Sequence, residues 1–83
     1  MVAGYDIDNC IIDISKHFRN KYMRNWNWDV YDLREAIKNA YKVDKIGKTK
    51  YEVYTKNRGS KKIIFVYYKE YDSIFIISGA EIK

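Results

Sequence analysis

Tyr5, Ile7, Asn9 and Ile11 alternate with Asp6, Asp8 and Cys10 at the start of the chain. A period of two sends successive side chains to opposite faces of a strand, so a first strand is predicted from this stretch, ending near Ile14. Ser15 then offers a side-chain oxygen for a helix cap, and Phe18, Tyr22 and Trp26 at intervals of four form one apolar stripe, predicting a short helix through Arg24 or so. Asn27 is a second capping candidate and Asp29 and Asp32 put negative charge in a first turn. Val30, Leu33, Ile37 and Ala40 recur at helical spacing, so a second helix is expected over about 28–41 with Arg34, Glu35 and Lys38 turned to water or to a partner.

Beyond that helix the period returns to two. Tyr51, Val53 and Thr55 alternate with Glu52, Tyr54 and Lys56, bounded by Gly47 before and by Asn57, Arg58, Gly59 and Ser60 behind, a turn whose Asn and Gly tolerate positive φ. Residues 63–68 are a continuous apolar run suited to a central strand, Tyr71 and Asp72 turn the chain, and 73–78 form a last strand. A short strand is also allowed over 42–46. The expected order is β-α-α-β-β-β with one optional extra strand: a single α+β domain of 83 residues in which two helices pack on one face of a mainly antiparallel sheet. Which later strand pairs with the first stays open.

Charge sharpens the picture because it is unevenly placed. Residues 15–62 hold fourteen Lys or Arg against five Asp or Glu, whereas the first fourteen residues carry three Asp and no base. Clustered cations attract phosphate and release its counterions, which favours a polyanionic partner over a neutral metabolite. A lysine-rich surface that serves only solubility is the alternative. So small a domain leaves no room for a deep cofactor cleft and presents an open groove instead. Cys10 is the only cysteine and His17 the only histidine, which excludes an internal disulfide and a zinc cluster; no cofactor is expected, and Cys10, beside Ile11 and Ile12, reads as a buried thiol. Without a signal-like or membrane-length apolar run, the chain reads as cytoplasmic with no membrane partner.

Ser15-Lys16-His17-Phe18, Arg24-Asn25-Trp26, the helix ending Ala36-Ile37-Lys38-Asn39-Ala40, Lys50-Tyr51-Glu52-Val53, the run 63–68 and Ile74-Phe75-Ile76-Ile77 together resemble the DUF4258 group, which is similar to the RelE/ParE toxin superfamily. The resemblance spans about residues 5–80. It implies a RelE-like fold, metal-independent cleavage of RNA, often on the ribosome, and a cognate antitoxin protein as partner. It also implies that His17 and basic residues after it line a groove. Two features depart from the family's pattern: Lys21 stands where relatives carry Arg, with an interval to Arg24 one residue shorter, and the last strand reads Ser78-Gly79-Ala80 where relatives have a Thr or Ser followed by an aromatic or basic residue.

Metal-free cleavage needs a base for the 2′-hydroxyl, an acid for the leaving oxygen and fixed positive charge on the phosphate. Histidine is the side chain whose ordinary pKa lies near neutrality. His17 and Arg24 are therefore the catalytic candidates. His17, Lys21 and Arg24 stand at i, i+4 and i+7, which predicts one shared helical face. Arg19, Lys21, Lys50, Tyr54 and Arg58 are the substrate-binding candidates, Lys50 or Arg58 closing from the sheet. Each has a plainer reading: a solvated basic face, an exposed turn, or edge-protecting lysines such as Lys61 and Lys62. Nine tyrosines and two tryptophans suit stacking on single-stranded nucleic acid. Trp26, Trp28 and most of the tyrosines are more simply read as core and rim packing, since a core with Leu33 as its one leucine needs bulky fillers. The competing class is a non-catalytic RNA- or protein-binding module of the same fold.

Overall fold

The computed structural model describes residues 7–56 and 59–82. Five strands form one sheet in the order β1-β5-β4-β3-β2: β1 (Ile11–Ile14), β2 (Lys42–Lys45), β3 (Lys50–Lys56), β4 (Ser60–Tyr68) and β5 (Ser73–Ile82). All neighbours are antiparallel except β1, which runs parallel to β5 with Ile12 opposite Ile74 and Ile14 opposite Ile76. Two helical segments cross between β1 and β2. The first is a continuous rod of α1 (Lys16–Phe18), a π-helical turn (Arg19–Met23) and α2 (Arg24–Trp26), and the second is α3 (Val30–Lys38). The protein is thus α+β, with two helices on a mixed five-stranded sheet.

Side-chain alternation decides which sheet face is covered. Tyr51, Val53 and Thr55 of β3, Lys61, Ile63 and Phe65 of β4, and Ile74, Ile76 and Gly79 of β5 are buried, and they meet Phe18, Met23 and Trp26 from the rod and Leu33, Ala36 and Ile37 from α3. Trp28, in the link between the helices, packs against Trp26 at 4.9 Å between rings. Lys61 does not guard an edge: its stem is buried and its ammonium sits 5.4 Å from the Trp26 ring centre, the apolar stem packing while the charge meets the aromatic face.

Several boundaries differ from the sequence expectation for identifiable reasons. The first strand begins only at Ile11, because residues 7–10 form a turn and bend whose carbonyls are occupied elsewhere. The Arg34 guanidinium donates to the Ile7 and Cys10 oxygens, and Lys38 pairs with Asp8 at 3.1 Å. Arg34 and Lys38 therefore turn to this loop. Tyr5 and Asp6 lie outside the described residues. Asn27 does not cap α3; it ends α2 in the left-handed conformation (φ 57°), which Asn tolerates. Asp29 is the cap, and it exchanges hydrogen bonds with Asp32 in a reciprocal box: Asp32 N donates to Asp29 Oδ1 (2.9 Å) and Asp29 N to Asp32 Oδ2 (3.0 Å). That later start leaves Val30 exposed. The helix stops at Lys38, since the Tyr41 amide already donates to Tyr54 O (2.8 Å) as the chain enters β2. Cys10 is buried, and its thiol lies 3.9 Å from Ile7 O.

Candidate nucleic-acid interface

Ser15 starts the basic rod and also ties it to the sheet. Its Oγ accepts from the Phe18 amide (3.1 Å) and donates to Ile77 O on β5 (2.9 Å). Phe18 is wholly buried, and the π turn then adds one residue to the repeat, so the next buried position is Met23 at i+5 rather than Tyr22 at i+4. Tyr22 moves to the rim. Its ring meets His17 edge-on at 5.7 Å, and the Lys21 ammonium stands 5.3 Å from its centre.

The extra residue also re-sorts the cations. Lys16, His17, Asn20, Lys21 and Asn25 line one open groove of about 550 Å³. Arg19 and Arg24, five apart, line a second groove of about 400 Å³ with Met23, Trp28 and Asp29. His17 and Lys21 thus share a face while Arg24 is turned to the other flank with Arg19, which departs from the single face expected from ideal helical spacing. Lys16, Asn20 and Asn25 complete the first groove; their polar type marked them as solvent-facing, and nothing in the spacing marked them further. Residues 16–26 contain four Lys or Arg and no Asp or Glu. Among the described residues none of these four cations is in an ion pair. His17 itself is exposed.

Lys50 and Tyr54 lie on the opposite side of the sheet. Because Tyr51, Val53 and Thr55 face the helices, the intervening Lys50, Glu52 and Tyr54 face away from them and cannot close on the rod. On that open face Tyr54 donates to Glu52 Oε1 (3.0 Å), while Lys62 approaches Glu52 at 3.9 Å and Lys42 stands 5.1 Å from the Tyr54 ring centre. The hydrogen bond to the Glu52 carboxylate, followed by desolvation, raises the Tyr54 pKa above its ordinary value. Lys42 is itself paired with Asp44 at 3.6 Å. The cations of this face are therefore partly neutralised, unlike those of the rod. Arg58 lies outside the described residues.

No family model, curated protein or solved structure matches this chain. The chemistry of the site accordingly rests on its own residues. Among the described residues, no group of three or more His, Cys, Asp or Glu is arranged to hold a metal ion, and no helix is long and apolar enough to cross a membrane. What the rod can do is present fixed positive charge on two flanks, with amide side chains and one imidazole on the flank of Lys16 and Lys21. Phosphate oxygens match the lysines, and the Asn and His donors suit sugar hydroxyls or base edges.

Proposed function

We propose that the chain binds single-stranded RNA along the rod of residues 16–26. The observation that carries this reading is the run of four cations on that rod with no acidic residue and no ion pair among the described residues. Each cation left without a counter-charge keeps its attraction for phosphate, and each phosphate it neutralises releases counterions. Tyr22, at the rim between His17 and Lys21, adds a ring on which a base can stack.

The position of His17 favours a second, catalytic reading, that of a RelE-like toxin acting as a metal-independent endoribonuclease. The imidazole shares its groove with Lys16 and Lys21, so a base able to take the 2′-hydroxyl proton stands beside cations able to hold the phosphate. Arg24 lies on the other flank and serves strand binding in this scheme rather than the reacting phosphate.

Two measurements separate the readings. Binding of a labelled single-stranded RNA is followed at several salt concentrations for the wild type and for Lys16→Ala/Lys21→Ala. The double variant is expected to lower the slope of log K against log salt by about 0.7 for each phosphate no longer neutralised. An unchanged slope removes the rod from the interface. For cleavage, the wild type and His17→Ala are induced in a host cell while new RNA 5′ ends are mapped; ends that vanish in the variant support the nuclease, and no ends in the wild type leave the binding reading alone.

A further inference from the structure

A third groove forms where two chain connections meet. Residues 46–49 link β2 to β3, and a 3₁₀ turn (Lys69–Tyr71) links β4 to β5. They are held side by side by the Tyr67 amide, at the end of β4, which donates to Thr49 O (2.8 Å), while the Ile46 amide closes the first connection on itself by donating to Lys50 O (2.9 Å). Asp72, left-handed at φ 48°, closes the 3₁₀ turn through its amide to Lys69 O. The space between them is about 450 Å³, within the range of about 300–1,000 Å³ usual for small-ligand sites.

Its lining combines rings and cations. Tyr51 forms a stacked floor on Phe65, 5.6 Å between ring centres at 18°, and Lys45 stands 5.9 Å from the Tyr51 centre. Tyr67 is half-buried, with its hydroxyl 3.4 Å from Asp72 Oδ1, and desolvation followed by the Asp72 charge raises its pKa, so it stays a neutral donor. Tyr68 and Tyr71 are 46% and 72% exposed. Lys45, Lys48 and Lys69 line the groove against the single carboxylate of Glu70, and among the described residues none of the three lysines is in an ion pair.

Tyr68 and Tyr71, the exposed tyrosines of the lining, offer a planar ring a place to stack, and lysines on both connections offer its phosphate two donors. We propose that this groove binds a nucleoside monophosphate unit, its base stacked on Tyr68 or Tyr71 and its phosphate held by Lys48 and Lys69. As a subsite for a strand that also follows the rod, the groove rests on the RNA reading above. As a pocket for the nucleotide itself it stands on its own geometry.

The test uses the full chain labelled for amide NMR, titrated with adenosine monophosphate, ribose 5-phosphate and a single-stranded RNA heptamer. Saturable shifts at Thr49, Lys69 and Tyr71 are expected with the nucleotide, and ribose 5-phosphate should bind at least about 5-fold more weakly, the lower bound for taking one base off an aromatic ring. Tyr71→Ala or Tyr68→Ala should weaken nucleotide binding by about the same factor, and Lys48→Ala/Lys69→Ala should remove most of its dependence on salt. Absence of saturable shifts at those amides, or equal affinity for ribose 5-phosphate, overturns the proposal. The heptamer distinguishes the sources: shifts in the groove mark a subsite of the RNA path, and shifts with the mononucleotide alone mark a free-nucleotide pocket. Nucleotide binding that persists while Lys16→Ala/Lys21→Ala leaves RNA affinity unchanged would reject the rod and retain the groove.

Discussion

Gly79 on β5 packs closely under Phe18 and Trp26 of the basic rod, and adding one methyl group there tests that closeness. A Cβ at this position would stand 2.8 Å from the backbone oxygen of Lys62, 2.9 Å from Phe18 Cε1 and 3.4 Å from Trp26 Cη2. The oxygen belongs to the middle of β4, paired on both sides, and Phe18 is wholly buried, so neither can retreat alone. Overpacking of this kind costs about 1–3 kcal/mol. Against it, alanine narrows the unfolded ensemble and returns about 0.4–1 kcal/mol. Both nearest contacts fall under 3.0 Å, which puts the cost in the upper half of that range and the net loss at about 1–2.6 kcal/mol, out of about 4–12 kcal/mol expected for a domain of this length at roughly 0.05–0.15 kcal/mol per residue. At about 4–8 °C per kcal/mol for a domain of this size, Gly79→Ala should melt about 4–20 °C lower. Gly47→Ala is the matched control, since its Cβ would meet only Lys50 Cβ at 3.5 Å, an ordinary van der Waals distance, and its φ is not in the left-handed region. It should gain about 0.4–1 kcal/mol. Thermal and urea unfolding of both variants followed by circular dichroism decides the matter. If Gly79→Ala melts with Gly47→Ala at or above the wild type, the close approach of rod and sheet is wrong.

The two roles of Ser15 predict that Ser15→Ala loses about 1–2 kcal/mol in urea unfolding, because one oxygen both caps the rod and bonds Ile77 O; a loss under about 0.5 kcal/mol would mean the cap is replaced by water. Tyr54 carries a pH prediction: its folded-state pKa is raised, so the stability it contributes is complete below the ordinary tyrosine value of about 10 and is lost as pH rises through the higher folded value. In Glu52→Gln the carboxylate acceptor is gone, and the Tyr54 titration read from its ring carbon should move back toward the ordinary value. Superimposable curves would deny the hydrogen bond its role.

The layers of the fold were readable because each rests on a strong local signal. The capped stripe of Leu33 and Ile37, the alternation through Tyr51, Val53 and Thr55, and the apolar run into Phe65 all became elements close to their expected places. The segment before Ile11 was misread for a reason outside its own pattern. Ile7 and Asp8 alternate like a strand, but their hydrogen-bonding and charged groups are taken by Arg34 and Lys38, some 27 and 30 residues later in the chain. Parallel pairing of β1 with β5 is equally non-local, and no turn chemistry announces it.

For the candidate interface, the amount of charge was legible and its distribution only in part. Val53 alone settles which parity of β3 is the core side, so the outward direction of Lys50 and Tyr54 was already implied by the alternation that predicted the strand; a site joining them to the rod conflicts with that alternation. The rod is a different case. Phe18 and Trp26 are compatible with either Tyr22 or Met23 as the buried residue between them, and the choice rotates everything that follows. Burying Met23 moves Arg24 from the His17 flank to the Arg19 flank without changing a residue. An acid-free run of cations is a property of composition and survives that rotation, whereas a catalytic pair is a property of angle and does not. The binding reading therefore stands on firmer ground than any chemistry requiring His17 and Arg24 to act on one phosphate, and a nuclease built on this rod must find its phosphate clamp in Lys16 and Lys21.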